Sequence, residues 1–132
     1  MEKTRRKLAR EKAIVGLYQN LVIDSTLEDI LNYFNEDEEL GEDAITFSKW
    51  IVENTLKNKK SYQELISRFL KKGWTFERLG KMEQAILLVA TCELLESNLP
   101  KTIVINEAIN NAKKFCDEDS YKFINGVLGQ II

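Results

Sequence analysis

The sequence predicts an all-α protein, a compact bundle of about seven helices in two packed helical subdomains. Apolar residues recur at spacings of three and four residues along almost the whole chain, which is the period of an amphipathic helix. The one segment with strand propensity, TIVIN at 102–106, has no partner strand elsewhere and is expected to enter a helix. The 132 residues suit one domain, which we expect to divide into an N-terminal part of about 1–58 and a C-terminal part of about 59–132.

Four helices are expected in the first half of the chain. The apolar side of the first helix consists of Ile14, Leu17, Tyr18, Leu21 and Val22. The second is expected to begin at a capping box of Ser25 and Glu28, in which each side chain accepts from a backbone N–H of the first turn. An acidic loop separates it from the third helix. A second capping box, Ser61 with Glu64, is expected to begin the fourth helix, and Gly73 to end it.

Three further helices are expected toward the C-terminus. Thr75 is predicted to cap the longest one, which must end before Pro100, because the residue before a proline disfavours the helical region. The segment 102–116 is expected to form the next helix. Asp119 or Ser120 is predicted to cap the last one. The apolar residues of this last helix are Phe123, Ile124, Val127 and Leu128.

The composition argues against several classes of protein. The chain contains no histidine, and its two cysteines, Cys92 and Cys116, are far apart, so neither a zinc site nor a Cys–His catalytic pair is expected. We expect both thiols to be reduced, as in a cytosolic protein. The glycines form no phosphate-binding loop. The protein is therefore predicted not to be an enzyme and to need neither a cofactor nor a metal.

The chain also shows no pattern of export or membrane insertion. Its longest apolar run, 85–90, is far shorter than the roughly 20 residues that cross a bilayer. Neither a clean apolar core nor a small-residue cleavage site follows the basic N-terminus. The first serine is Ser25, which is unlike the serine-rich composition of an organellar transit peptide. We therefore expect a cytoplasmic protein that has no membrane partner.

The N-terminal segment carries a charge opposite to that of the rest of the chain. Residues 1–12 contain six basic and two acidic side chains and sum to +4, whereas the whole chain is −2, so the other 120 residues sum to −6. Cations at a helix N-terminus oppose the helix dipole. At about 100° per residue, Lys3, Lys7 and Arg10 also lie on the same side as Ile14. Because unpaired charges cannot enter a core, these first turns are expected to overhang the bundle, to fray or to be covered by a polyanion.

Two interpretations of this basic arm stay open at the level of sequence. Either the arm is a solvated face that only aids solubility, or it binds the phosphates of a nucleic acid. Tyr18 lies at the junction with the buried stripe, where its ring is placed to stack on a base of a single strand. The residues alone do not distinguish RNA from DNA.

The remaining charges are also grouped. Residues 24–43 hold nine acids and no base, and residues 57–72 hold six bases and one acid; both segments are expected to face solvent. Glu83 and Glu93 are expected on the polar side of the longest helix. The alternative is that Glu77, Glu83 and their neighbours form a surface that recognises a basic partner.

Three blocks of sequence resemble the NusB family of transcription antitermination factors. The first is ARxxAxxxLYQ at 9–19, and the second is RLGKMEQAIL at 78–87. The third and most specific is INEAINNAKKF at 105–115, followed by YKFINGVLG at 121–129. The resemblance covers nearly the whole chain.

The resemblance implies an all-helical protein that binds the boxA element of nascent RNA together with NusE, a small-subunit ribosomal protein. Their complex helps RNA polymerase to resist termination, chiefly on ribosomal RNA operons. The RNA contacts implied by the resemblance are Arg5, Arg6, Lys7, Arg10, Tyr18, Lys122 and Phe123. The partner-facing residues that it implies are Glu77, Glu83 and Asp119. Lys7 stands in place of an arginine and lacks the bidentate fork of that side chain.

Two other functions are weighed against this one. NusB-like domains also form the N-terminal part of RNA cytosine methyltransferases, which require a methyl-donor-binding domain downstream, whereas this chain ends at Ile132. A protein-interaction bundle without RNA binding would instead use the basic arm against an acidic partner. Some members of the family form pairs, so a homodimer is left open.

Overall fold

Seven α-helices and one short 3₁₀ helix make up the part of the chain that the structure describes. The computed structural model describes residues 3–36 and 40–131, with side chains from residue 5 onward in these ranges. The helices are α1 (Lys3–Ile23), α2 (Leu27–Asn35), α3 (Glu42–Lys57), α4 (Lys59–Ser67), the 3₁₀ helix (Phe76–Arg78), α5 (Lys81–Glu96), α6 (Lys101–Phe115) and α7 (Glu118–Leu128). Within these ranges there is no strand, and the segment 102–106 lies in α6, as predicted. None of the described helices has the length and apolarity needed to cross a membrane.

Helix α5 forms the centre of the fold. Every residue from 84 to 93 is buried, so this helix is enclosed on all sides by its neighbours. Helices α1, α3, α4, α6 and α7 pack against it. The fully buried large side chains of the core include Phe34, Ile51, Ile66, Phe76, Leu88 and Ile124. One continuous core therefore joins the first and the last helices, and the predicted division near residue 58 stays a prediction.

Several helix starts differ from the predicted ones by a few residues. The capping box of α2 is formed by Thr26 and Asp29, one residue later than predicted, with two hydrogen bonds of 3.2 Å between side chain and backbone. Helix α4 begins at Lys59, so Ser61 lies inside it. Helix α7 is capped by Asp117, two residues before the earliest predicted cap. Periodicity locates a helix, but several nearby side chains can cap it, and the path of the chain selects one.

The longest predicted helix consists of two elements. Thr75 precedes the 3₁₀ helix, and α5 begins only after Gly80, whose backbone is extended. The Gly80 N–H donates to Oε1 of Glu83 at 3.3 Å, which replaces the hydrogen bond that a continuous helix would make. The prediction that Thr75 caps this helix is therefore wrong by about two turns. The other end is as predicted, because α5 stops at Glu96, before Pro100.

Small residues let α1 lie close to α2 and α3. Ala9 and Ala13 are fully buried. A Cβ atom added at Gly16 would come within 2.6 Å of Cγ2 of Ile30, so only glycine allows this approach of α1 to α2. This close packing places the basic first half of α1 directly beside α3.

Candidate nucleic-acid interface

The first half of α1 is docked on the bundle rather than extending away from it. Ala9 packs with Leu40 and Ala44 in a small core of its own. The hydroxyl of Ser48 donates to the carbonyl of Ala9 at 2.7 Å. Two independent contacts therefore hold this part of α1 against α3. The expectation that the basic turns overhang the bundle is wrong from Ala9 onward.

Arg10 lies inside the protein and pairs with a carboxylate of the central helix. Arg10 is 3% exposed and Glu93 is 1% exposed. Nε of Arg10 lies 2.8 Å from Oε1 and 3.0 Å from Oε2 of Glu93. The predictions that Arg10 projects outward and that Glu93 lies on a polar helix side are both corrected here. Each charge enters the core because the other neutralises it, and the two are 83 residues apart in sequence.

Neighbouring side chains extend this buried pair into a network. Glu107 of α6 lies 3.7 Å from Nη1 of Arg10 and 3.8 Å from Nζ of Lys7. The guanidinium groups of Arg6 and Arg10 each lie 5.4 Å from the centre of the Phe47 ring. Nε of Arg6 and Nη2 of Arg10 are buried without a hydrogen-bond partner among the described residues. The network thus joins α1 to α3, α5 and α6.

The burial of this pair has an electrostatic cost. Burial raises the pKa of the Glu93 carboxyl above its ordinary value, and the positive charge of Arg10 opposes that shift.

The two cysteines are also affected by burial, which raises the pKa of the Cys92 thiol to about 11. Burial likewise raises the pKa of Cys116. Both cysteines are free thiols, and none of the His, Cys, Asp and Glu side chains in the described part of the chain cluster in a way that could hold a metal.

Two other cations of the arm, Arg5 and Lys7, remain accessible. Arg5 is exposed, and its guanidinium lies against Gly41 at the start of α3. Gly41 has φ +78°, a backbone conformation that favours glycine, and a Cβ there would come within 2.7 Å of Nη1 of Arg5, which would have to move aside. The side chain of Lys7 is 45% exposed although it pairs with Glu107. Arg5 and Lys7 are therefore the outward-facing members of the predicted arginine-rich segment.

Helix α6 adds a lysine to the same surface. Nζ of Lys114 lies 2.9 Å from Oε2 of Glu11 across the seam between α1 and α6, and the Lys114 side chain is 56% exposed. Lys12, one residue further along α1, lines the same groove as Lys114. We call Arg5, Lys7, Lys12 and Lys114 the cationic face. Lys114, the α6 member of this face, was not predicted from the sequence, although two lysines in the last turn of a helix are a recognisable sign of a cationic helix end.

Aromatic rings accompany the lysines of this region. Nζ of Lys12 lies 4.2 Å from the centre of the Tyr33 ring and donates to its hydroxyl at 2.9 Å. Nζ of Lys114 lies 5.5 Å from the centre of the Phe115 ring. Cations interleaved with aromatic rings are the side-chain combination that binds a single nucleic-acid strand, because phosphates pair with the cations and bases stack on the rings.

A second surface gathers most of the predicted partner residues. Glu83, Asp119 and Phe123 line one open cleft of about 420 Å³ between the start of α5 and the start of α7. Glu77 is exposed on the 3₁₀ helix nearby. We call this opening the acidic cleft, because three acids, Glu83, Asp117 and Asp119, line it together with two bases, Lys71 and Arg78. It also contains Trp74, which is 50% exposed.

The contribution of Trp74 to the acidic cleft was not foreseen. The guanidinium of Arg78 lies 5.0 Å from a ring centre of Trp74 and donates to the Gly73 carbonyl at 2.9 Å. An exposed tryptophan held by an arginine is a frequent element of protein interfaces.

The two remaining predicted RNA contacts differ in exposure. Lys122 is exposed on α7, whereas Tyr18 is half-buried against the main core.

The fold and these two surfaces define a class of protein. It is a small all-helical bundle built around one enclosed central helix. The surrounding helices present a basic surface and a separate acidic surface. The chain belongs to the NusB family, whose model matches residues 7–132. The recognised family is thereby confirmed.

Relatives and solved structures agree with this assignment. The transcription antitermination protein NusB of Staphylococcus haemolyticus is 39% identical over 129 residues, which is 96% of this chain and 98% of that protein. A structure of NusB from T. maritima has 34% identity and a TM-score of 0.88, covering 99% of this chain and 92% of that one. A structure of the antitermination factors NusB and NusE in complex with dsRNA has a similar chain, with 26% identity, a TM-score of 0.83 and coverage of 98% and 97%.

Proposed function

We propose that this protein is a non-catalytic RNA-binding factor of transcription antitermination. It binds boxA-type single-stranded RNA together with the ribosomal protein NusE and promotes processive transcription of ribosomal RNA operons by RNA polymerase. It acts in the cytoplasm. The observation that carries the proposal is the cationic face, where Lys7 is exposed and where half-buried Lys12 and exposed Lys114 lie beside aromatic rings.

The geometry assigns different roles to the cations of the arm. Arg5 and Lys7 are accessible and contact phosphates directly, and Arg5 offers a planar fork for an anionic oxygen pair. Lys114 extends the contact surface to α6. Arg10 acts from inside, because its pairing with Glu93 holds the helix turn from which Lys7 projects. Direct contact of RNA with Arg10 stays a prediction that would require this buried pair to open.

The chemistry of the cationic face favours single-stranded RNA as its ligand. The deep major groove of an RNA duplex is closed to side chains, so sequence-specific RNA recognition uses unpaired bases. The cationic face provides phosphate partners at intervals along α1 together with ring surfaces for such bases. The related complex contains NusB, NusE and dsRNA, which supports RNA as the ligand class and NusE as the partner.

The acidic cleft is proposed as the surface that receives NusE and the adjoining RNA. Glu77, Glu83 and Asp119 attract a basic partner, and Trp74 supplies an aromatic anchor. Phe123 lies in the same cleft, so we place it where RNA and partner adjoin, with Lys122 and Tyr18 as further proposed RNA contacts. Two surfaces of opposite charge on one bundle suit a protein that joins a nucleic acid to a basic protein.

The test is a binding titration with a fluorescently labelled boxA-type RNA, with and without the NusE homologue. We expect binding by the protein alone and tighter binding when NusE is present. The logarithm of the affinity should fall linearly with the logarithm of the salt concentration, by about 0.7 for each phosphate engaged. An RNA of the same composition in scrambled order is the control. Absence of RNA binding under both conditions would favour the protein-interaction bundle and contradict the proposal.

A further inference from the structure

A groove lies in the middle of the cationic face, where α1 meets the ends of α2 and α6. It has a volume of about 220 Å³ and is open to solvent. Its lining residues are Leu8, Glu11, Lys12, Val15, Tyr33, Leu40, Lys114 and Phe115. We call it the Tyr33–Phe115 groove, after the two rings that contribute to its wall. The floor is apolar and the rim is charged.

Both rings are covered by a lysine in the free protein. Lys12 lies over Tyr33, with 4.2 Å between its Nζ and the ring centre, and Lys114 lies 5.5 Å from the centre of Phe115. Cation–π contacts of this kind are weak at exposed sites. A charge-assisted hydrogen bond between ammonium and phosphate is stronger. Lys12 also donates to the Tyr33 hydroxyl at 2.9 Å, and Lys114 pairs with Glu11 at 2.9 Å, so a phosphate near the rim must replace these contacts too before a ring face opens.

We propose that the Tyr33–Phe115 groove takes one nucleobase of the bound RNA strand, while Lys12 and Lys114 turn to the phosphates on either side of it. This inference rests on the proposed function, since it assigns a subsite to the same RNA. The base stacks against the Phe115 ring over the apolar floor, and Leu8 closes one edge. The carboxylate of Glu11, released from Lys114, accepts a hydrogen bond from an amino group of the base.

The position of the groove supports a base rather than a protein side chain as its occupant. Leu8 directly follows Lys7, so the groove continues the line of exposed cations along α1. Its two lysines carry the charge that a phosphate backbone needs, and they outnumber Glu11, the one acid among the described lining residues. A strand held at Lys7 and at Lys114 must pass over this opening.

The experiment uses the full chain and a single-stranded boxA-type RNA in which 2-aminopurine replaces one base at a time. Stacking of this fluorescent base on a ring quenches its emission. We expect strong quenching at one position with the unchanged protein. Phe115→Leu should abolish that quenching and weaken binding by about 5- to 100-fold, as found for the loss of one base–aromatic stack. Because both lysines remain, the salt dependence of binding should not change.

Two variants make the result specific. Phe69→Leu is the matched control, since Phe69 is also half-buried but follows α4, away from the groove; it should bind as the unchanged protein does. Phe115→Tyr keeps a ring and should restore both quenching and affinity. Thermal unfolding of each variant shows whether the fold is kept.

The outcomes separate this inference from the function on which it rests. RNA binding that is equal in Phe115→Leu and in the unchanged protein overturns the groove proposal and leaves the proposed function standing. If Phe115→Leu weakens binding of NusE but not of RNA, the groove holds a protein side chain and the proposal is wrong. Absence of RNA binding by the unchanged protein overturns both.

Discussion

Two basic segments of the chain have similar charge and quite different structural settings. In the N-terminal segment, α1 is docked on α3 from Ala9 onward, and acids of α5 and α6 pair with Arg10 and Lys7. Residues 57–72 carry six bases and one acid, and five of these bases are exposed. The exposed bases are Lys57, Lys60, Arg68, Lys71 and Lys72. The sixth, Lys59, donates to Oδ1 of Asn20 at 2.9 Å.

The comparison shows that charge density does not by itself define a nucleic-acid site. In the first segment one cation, Arg10, is buried and anchors the helix, and the cations before it project from a fixed backbone. In the second segment the charges follow the surface of α4 and the turns after it. A ligand that meets fixed cations loses less freedom on binding than one that must order mobile side chains.

The largest effect is expected from breaking the buried pair. Glu93→Ala leaves the charge of Arg10 buried without its partner, which should lower the free energy of unfolding by about 3–5 kcal/mol. Urea denaturation measures this change. Glu64→Ala, which removes the lone acid of the second segment, should change the free energy of unfolding by no more than about 0.5 kcal/mol.

A double replacement sharpens this prediction. Arg10→Met together with Glu93→Leu removes both charges and keeps apolar volume, so most of the stability lost in Glu93→Ala should return. A loss below about 1 kcal/mol in Glu93→Ala would show that Arg10 finds water or another partner, and would contradict the anchoring role of the pair.

The next effect concerns RNA affinity. Arg5→Ala with Lys7→Ala removes two exposed cations of the cationic face, so the salt dependence of RNA binding should decrease by about 1.4, at about 0.7 per phosphate contact. Affinity in low salt should fall by about tenfold or more, given the net strength of a hydrogen bond to a charged group. Fluorescence anisotropy at several salt concentrations measures both quantities.

The second basic segment supplies the control for this measurement. Lys60→Ala with Arg68→Ala removes the same net charge from exposed positions on and just after α4. This variant should keep nearly the full salt dependence. If the two double variants lose affinity equally, overall charge and not the placement of α1 controls binding.

The smallest effect is expected where the arm meets α3. Gly41→Ala places a Cβ 2.7 Å from Nη1 of Arg5 at a residue with φ +78°, which should cost about 1–2 kcal/mol of unfolding free energy. In contrast, a Cβ at Gly126 of α7 meets nothing within 4 Å. Gly126→Ala should therefore stabilise the protein by about 0.5–1 kcal/mol, because alanine favours a helix over glycine. Thermal denaturation of the two variants compares them, and equal stability would contradict the requirement for glycine at the positive φ of residue 41.

Sequence reasoning predicted more of the fold than of the candidate site. The helical period predicted the all-α class, the lack of a partner strand predicted a helix at 102–106, and Pro100 predicted the end of α5; the structure confirms all three. It missed the break at Gly80, because the apolar stripe continues across the 3₁₀ helix into α5 as if both were one helix. The family was recognisable from short blocks, and the family match confirms it.

The sequence by itself predicts the features that depend on residues close together along the chain. These are the helices, their approximate limits and the cationic segment at the N-terminus. Tertiary packing determines which cations of that segment are accessible to solvent. Arg10 and Lys7 differ little in local sequence, yet the first lies in the core and the second in solvent. The physical reason is that a buried charge needs an opposite charge within bonding distance, and Glu93 and Glu107 reach α1 only when α5 and α6 have packed against it.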